Sequence, residues 1–271
     1  LMKTFLFWNL NKKPLIDNIV SLTQFYDVDV LMFCEWNIVI ADLLNALNAD
    51  GKGSYYYIPG NCEKIKIFTK FPNEFIKPVF ESDRLTIRHI TLPGSDSILL
   101  AVIHFVDKYN WDDDSQNAEC YNLAETIKET ELRLGHSRTV LVGDLNMNPF
   151  QAGVIMANGL HAVMTKKIAS SMSRKVQQKE YKFFYNPMWN LLGDHFPGVP
   201  GTYYLRQGVH KVYFWNMLDQ VLIRPELLDN FRVEDLEIVE FDGKVSLLNS
   251  QGYPNKKQYS DHLPIKFTLA I

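Results

Sequence analysis

Two short apolar runs near the start of the chain, Thr4 to Trp8 and Val28 to Cys34, constrain its fold more than any other feature. Each is short, largely uninterrupted and bounded by polar clusters, the pattern of a strand buried at the centre of a sheet. Between them, Pro14 to Tyr26 places Leu15, Ile16, Ile19, Val20 and Leu22 at near-helical spacing, with Pro14 suited to a helix start. The chain therefore opens β-α-β, and an α/β fold is expected.

Asn37 to Leu47 repeats the helical pattern. After it, Ser54 to Ile58, Lys64 to Thr69, Leu85 to Leu92 and Ile98 to Phe105 read as consecutive strands separated by Gly, Pro, Asn and Asp, which implies antiparallel or mixed pairing. A polar turn over 110–115 leads into a helix from Ala118 to Leu134, followed by a buried strand from Thr139 to Val142 that ends at Gly143-Asp144. The second half adds strands at Leu218 to Ile223, Arg232 to Val239 and Leu263 to Ala270. This alternation fits two mixed sheets packed face to face with helices outside. Periodicity alone fits one larger sheet as well.

A chain of 271 residues, 46% hydrophobic and 22% charged, can bury a large core and is too apolar to be disordered. No Pro/Gly/Ser-rich stretch or charge run divides it, so residues 2–271 are expected to form a single domain, with Leu1 ahead of Met2 read as extraneous. Neither a membrane anchor nor a secretory signal is expected, since no apolar run approaches the ~18 residues of a span. Cys34, Cys62 and Cys120 are odd in number and lack metal-ligand spacing, which suits free thiols and predicts a cytoplasmic location. A formal net charge of −3 provides no global field for a polyanion, so nucleic-acid binding would rest on local basic groups or on a metal.

Several strand ends carry groups capable of chemistry. Gly143-Asp144-Leu145-Asn146 sets a carboxylate and an amide directly after an apolar strand. There Asp144 can orient a water and Asn146 can donate to a phosphate oxygen, or the two can simply cap a turn. Ser260-Asp261-His262-Leu263-Pro264 sets an acid and an imidazole before the last apolar strand. His262 can donate to a phosphate and Asp261 can face a metal, or the segment is a capped strand entry. Asn9 and Glu35 close the first two runs. A buried Glu35 must be paired or ligate a metal, whereas an exposed one opens the next helix; Asn9 with Asn11 also reads as a turn. His104 and Asp219 interrupt apolar strands. A lone strand histidine is often a satisfied core residue, but an Asp amid Leu and Val demands a partner, and His262 is the natural one.

Taken in order, Trp8-Asn9, Glu35, His104, Gly143-Asp144-Leu145-Asn146, Leu218-Asp219 and Ser260-Asp261-His262 resemble the motifs of the endonuclease/exonuclease/phosphatase superfamily. That superfamily includes pancreatic-type deoxyribonuclease, exonuclease III-type abasic endonucleases, inositol-polyphosphate phosphatases and neutral sphingomyelinases. The resemblance spans Phe5 to Ile265 and implies a four-layer α/β sandwich that hydrolyses phosphodiester bonds with Mg²⁺ or Mn²⁺. It implies that Glu35, with Asn9 and Asp261, holds the metal through hard oxygen donors. Asp144 would align or deprotonate the attacking water, with Asn146 helping to hold water and phosphate. His262, oriented by Asp219, would bind the scissile phosphate, and His104 would assist the leaving oxygen after in-line attack at phosphorus.

Asn11 stands where abasic endonucleases commonly carry an acid, which counts against an additional metal ligand and against abasic specificity. His104 stands where they tend to carry Tyr, so the site is more deoxyribonuclease-like. No acid pairs clearly with His104, although Glu63 and Glu74 lie near the expected strand. Ser173 to Trp189 interleaves Arg174, Lys175, Lys179 and Lys182 with Tyr181, Phe183, Phe184, Tyr185 and Trp189. That mixture suits phosphate neutralisation and base stacking, or equally a solvated loop followed by a core strand. Lys256 and Lys257 either flank the site or are surface lysines. A nuclease acting on DNA is expected, with RNA next. The alternatives are a phosphatase or phosphodiesterase on an inositol phosphate, phospholipid or nucleotide, and a degenerate phosphate-binding module without activity.

Overall fold

The computed structural model describes residues 1–49, 51, 54–194 and 197–271. Strands Met2–Asn9 and Val30–Cys34 lie parallel, joined by the helix Ile16–Phe25. They are the centre of a six-stranded mixed sheet ordered Phe231–Ile238, Ile265–Ala270, Met2–Asn9, Val30–Cys34, Ile65–Thr69, Tyr56–Ile58. A seven-stranded mixed sheet is ordered Ile76–Glu81, Leu85–Ile90, Ile98–His104, Thr139–Asp144, Asp219–Ile223, Phe184–Tyr185, Ala162–Val163. Its parallel pair Ile98–His104 and Thr139–Asp144 is joined by the long helix Asp113–Leu134.

Strand alternation sorts the second sheet's side chains between two cores. Leu100, Val102, Val140, Val142, Val221 and Ile223 share one core with Phe5, Phe33 and Phe267 of the first sheet, whereas Leu99, Ala101, Ile103, Leu141 and Leu222 join Cys120, Leu123 and Ile127 of the long helix. One face of that sheet thus meets the other sheet and the opposite face meets the helix. Ile19, Leu22, Leu43 and Leu47 bring the helices Ile16–Phe25 and Ile40–Leu47 onto the first sheet. The architecture is the four-layer α/β sandwich, with helices outside two mixed sheets.

Several elements differ from expectation, among them short helices at Ala152–Ile155 and Lys166–Ala169, and two of the differences have a clear physical reason. The long helix begins at Asp113 rather than Ala118, because the polar cluster read as a turn is its start: Asp112 accepts the Ser115 N–H at 2.8 Å, and Asp113 and Asp114 face the positive end of the helix dipole. The strand Ile76–Glu81 was not expected, since Pro78 interrupts it; it lies at a sheet edge, with a register shift between Pro78 and Phe80, where a missing N–H is tolerated. Among the described residues no helix is long and apolar enough to cross a membrane.

Candidate active site

The ends of the central strands of both sheets meet at one rim of the sandwich. In register, Asn9 lies beside Cys34, the residue before Glu35, while His104 lies beside Asp144 and Asp144 beside Asp219. Crevices outside the carboxyl ends of parallel strands are where α/β sheets bind ligands. His262 enters from just before the strand Ile265–Ala270, the antiparallel neighbour of Met2–Asn9. Trp8 Nε1 donates to the His262 carbonyl at 2.9 Å, and Ser260 Oγ donates to the Asn9 carbonyl at 2.6 Å while accepting the His262 N–H at 3.0 Å. Ser260 therefore fastens the last motif to the first.

Backbone conformation aims the side chains. Glu35 and Asn146 adopt left-handed φ values of +48° and +51°, each costing about 1–2 kcal/mol for a residue with a Cβ. Both occur where a strand turns sharply out at the rim. At Gly143 φ is +149°, and a Cβ there would collide with the Ile103 carbonyl of the neighbouring strand, so only glycine lets the two parallel strands close up beneath Asp144.

Asp144 is buried, and both its oxygens are held: Oδ1 accepts the Asn146 N–H at 2.8 Å and Oδ2 accepts Asn9 Nδ2 at 3.0 Å. Asn9 Nδ2 also reaches Glu35 Oε1 at 3.3 Å, and its Oδ1 accepts the Asn11 N–H at 3.0 Å. Asn9 thus bridges two carboxylates, and Asn11 serves it through the backbone. Asn146 Nδ2 donates to the Phe105 carbonyl at 3.1 Å, so part of the amide expected to hold the phosphate is engaged in the loop itself. His104 Nε2 lies 3.6 Å from Glu35 Oε1 and 3.9 Å from Asp144 Oδ2. The acid nearest His104 is therefore Glu35, reached across the sandwich, ahead of Asp144; Glu63 is exposed in a turn and Glu74 in the 3-10 helix Asn73–Phe75.

His262 Nδ1 is 2.7 Å from Asp219 Oδ2. Burial opposes the imidazole's charge, but Asp219, Asp144 and Asp261 together outweigh it and push His262 up to about 10. It is an imidazolium at neutral pH. Burial raises Asp144 above the usual carboxylate range, Asp219 adds to this, and the two histidines oppose it. The negative field extends outward: burial first, and then Asp144, Asp219 and Glu35, raise the Cys34 thiol, while burial followed by Asp261, Asp144 and Glu35 raises the Tyr203 phenol.

This excess of acid fits a hard divalent cation. Glu35, Asp144 and the half-buried Asp261 offer carboxylate oxygens, the donors preferred by Mg²⁺ or Mn²⁺, whereas Asn9, expected beside them as a ligand, turns its Nδ2 to Glu35 and Asp144 and gives its Oδ1 to the Asn11 N–H. Among the described residues the acids and imidazoles that gather within 4.8 Å are Asp144, Asp219 and His262, without Glu35 or Asp261; the His262–Asp219 hydrogen bond accounts for that closeness, and a protonated imidazole is no ligand. Asp219 Oδ1 and His104 Nδ1 are buried and make no hydrogen bond among the described residues.

Three supporting residues escaped the sequence reading. Thr202 Oγ1 accepts the Asp219 N–H at 3.1 Å, and the Tyr203 ring lies 4.9 Å from that of His262. A signal was available in Pro200-Gly201 followed by the strand-forming Thr202-Tyr203-Tyr204. Asn148 accepts the Met217 N–H at 2.8 Å and donates to Asn216 at 2.9 Å, tying the loop after Asp144 to the segment that carries Asp219.

The basic part of the segment Ser173 to Trp189 lies elsewhere, whereas its end runs back toward the rim, where Asn186 donates to Gln220 at 2.8 Å and the Trp189 ring lies 6.3 Å from Phe150. The basic part forms the exposed hairpin Ser173–Val176 and Lys179–Lys182, followed by buried Phe183, Phe184 and Tyr185. Arg174 Nε donates to His161 at 2.8 Å, and the Phe183 carbonyl accepts from Arg224 at 3.0 Å. Arg224 sits beside Thr139, at the opposite end of the strand that carries Asp144, about 17 Å away at 3.3 Å per residue. In place of the solvated loop there is a solvated hairpin, and the core strand expected after it forms at Phe184–Tyr185. Lys256 and Lys257, by contrast, line a cleft together with Asp261.

No protein-family model and no curated relative matches the chain. Among solved structures, truncated Caenorhabditis elegans TDP2 matches at 14% identity over 100% of this chain and 98% of that one, with a TM-score of 0.58. The 3′ phosphatase NExo from Neisseria, bound to a product DNA hairpin, matches at 12% identity over 99% and 100%, with a TM-score of 0.57. An endonuclease/exonuclease/phosphatase family protein from Leptotrichia buccalis matches at 15% identity over 99% and 100%, with a TM-score of 0.56. At these identities the likeness is one of fold: the chain has the deoxyribonuclease I-like fold of the endonuclease/exonuclease/phosphatase superfamily.

Proposed function

We propose that the chain is a divalent-metal-dependent phosphodiesterase, and specifically a nuclease acting on DNA. The observation that carries this reading is the buried His262 imidazolium, clamped by Asp219 at 2.7 Å, beside a buried Asp144 whose proton affinity is raised. With Nδ1 occupied by Asp219, His262 presents Nε2–H to a phosphoryl oxygen and stabilises the charge that grows there. Asp144, steadied by Asn9 and the Asn146 N–H, takes the proton of a water that attacks phosphorus in line with the leaving oxygen. A new P–O bond forms to water as the bond to the leaving oxygen breaks, and His104, between Glu35 and Asp144, assists the departing oxygen. A divalent cation, Mg²⁺ or Mn²⁺, held by Glu35 and Asp261, and by Asn9 once its amide turned its oxygen toward them, would supply the positive charge that draws the phosphate into so acidic a site.

DNA is preferred because the structurally similar NExo was captured with a DNA product and because exposed Arg206, Lys256 and Lys257 stand at the Asp261 side of the site. Residues 2–271 act as one catalytic unit in this proposal, and three buried free thiols are compatible with a cytoplasmic enzyme. The test is a panel of supercoiled plasmid, linear duplex, single-stranded DNA, RNA, abasic duplex, inositol phosphates and sphingomyelin, each with Mg²⁺ and Mn²⁺. DNA cleavage that EDTA abolishes is expected. Turnover of only the non-nucleic substrates overturns the nuclease, and no turnover at all leaves a phosphate-binding module.

A further inference from the structure

Beside Asp261 lies a cleft of about 470 Å³, within the usual range for a small-ligand site. One wall is an aromatic stack: Tyr253 lies face to face with Tyr204 at 3.7 Å and 11°, with Trp215 set edge-on to Tyr204 at 5.3 Å. Tyr204 belongs to the strand Tyr203–Tyr204, whose other residue packs on His262. Tyr253 comes from the long connection ahead of Asp261, which is ordered by its own turn: Asn249 Oδ1 accepts the Gln251 and Tyr253 N–H groups at 2.8 and 3.2 Å. Around the rim, Arg206, Lys256 and Lys257 are exposed. The Lys257 carbonyl accepts from Lys13 Nζ at 3.0 Å, which fixes the lysine pair's backbone against the N-terminal segment.

We infer that this cleft seats the nucleotide flanking the scissile phosphate of a single-stranded DNA, its base on the Tyr204/Tyr253 stack and its backbone phosphate on Lys256 and Lys257. The inference rests on the phosphodiesterase reading of the neighbouring site and assigns it a substrate class. Cations alone would serve any phosphate ester. Cations beside stacked rings serve a nucleotide, because every base has a π face, whereas an inositol phosphate has none. The rings and the turn are already in place, so little ordering is required on binding. The cleft opens next to Asp261, one residue from the imidazolium proposed to hold the scissile phosphate, so a strand bound there delivers its next phosphodiester to His262.

The experiment measures binding of a fluorescent oligothymidylate by anisotropy in EDTA across a range of NaCl concentrations, with cleavage of the same oligonucleotide in Mg²⁺ as a separate arm. Lys256→Ala/Lys257→Ala should weaken binding about tenfold and make the slope of log K against log salt shallower by about 0.7, since the pair holds one backbone phosphate and each lost phosphate contact on a single strand removes about 0.7. Tyr253→Leu should weaken it by about tenfold as well, while Tyr253→Phe keeps wild-type affinity. In the cleavage arm the weakened variants should show raised KM with little change in kcat. An unchanged affinity and salt slope in the double-lysine variant overturns the cleft assignment, as does equal loss in Tyr253→Phe and Tyr253→Leu. Absence of cleavage by the wild-type protein instead overturns the nuclease reading, so the two failures are distinguishable.

Discussion

The strands Thr139–Asp144 and Asp219–Ile223 run antiparallel side by side, and their two ends are built in opposite ways. At the far end Arg224 and Glu131 balance each other: Arg224 Nε donates to Glu131 Oε1 at 2.8 Å, Thr139 Oγ1 donates to the same oxygen at 2.8 Å, and the guanidinium lies 3.9 Å over the Phe184 ring. At the rim the same two strands end in Asp144 and Asp219, directly paired, with Glu35 beside them and two histidines in partial compensation. One end cancels its buried charge in a single ion pair, although Glu131 Oε2 makes no hydrogen bond among the described residues. The other is left short of positive charge, and that deficit is what a cation and a phosphate group together can occupy.

The largest expected effect tests the rim. Asp144→Asn and His262→Ala should each lower turnover by at least about 10³-fold; the urea unfolding midpoint should stay near wild type in Asp144→Asn and fall in a still cooperative transition in His262→Ala, which strands the buried Asp219 carboxylate. Wild-type rates in both would remove the functional distinction between the two ends. Next, Glu131→Gln at the far end should cost about 3–5 kcal/mol of unfolding free energy, since it strands a buried guanidinium that cannot shed its proton. Asp219→Asn should cost less, because His262 can become neutral when its partner is gone. Equal costs by urea titration would show that the ends are not energetically different.

A smaller effect follows from the proposed cation. At a free Mg²⁺ concentration of 100 times Kd, the wild-type protein should gain about 2.7 kcal/mol, read as a rise in unfolding temperature. Glu35→Ala should lose most of that gain and Glu131→Gln should keep it. The smallest effect is on pH dependence without metal. The folded value for His262, raised to about 10, lies above its unfolded value of about 6.5. Its pairing with Asp219 therefore stabilises the fold fully below pH about 6.5 and loses that contribution as pH rises through about 10. Urea midpoints between pH 6 and 10 in EDTA should fall more steeply for wild type than for Asp219→Asn, and parallel slopes would refute the pairing energy.

The fold was legible where burial follows a local period. Thr4 to Trp8 and Val28 to Cys34 announced their strands through continuous apolarity, and the groups that close them, Asn9 and Glu35, stand at the rim. The strand Ile76–Glu81 was hidden by Pro78, a residue whose cost depends on whether the strand is central or at an edge, which is a property of the finished sheet. The polar start of the long helix was hidden because a cap and a turn use the same residues.

Residue types and their order along the chain were enough to indicate an α/β sandwich whose strand ends carry acids, amides and imidazoles, because each strand's burial pattern is written in its own few residues. Tertiary structure alone decided which acid lies beside His104, that Tyr203 covers His262, and that the hairpin Ser173–Val176 and Lys179–Lys182 lies at the far end while Lys256 and Lys257 line the cleft beside Asp261. These relations join segments distant in sequence, and only the packing of one sheet on the other brings them within hydrogen-bonding and Coulomb range.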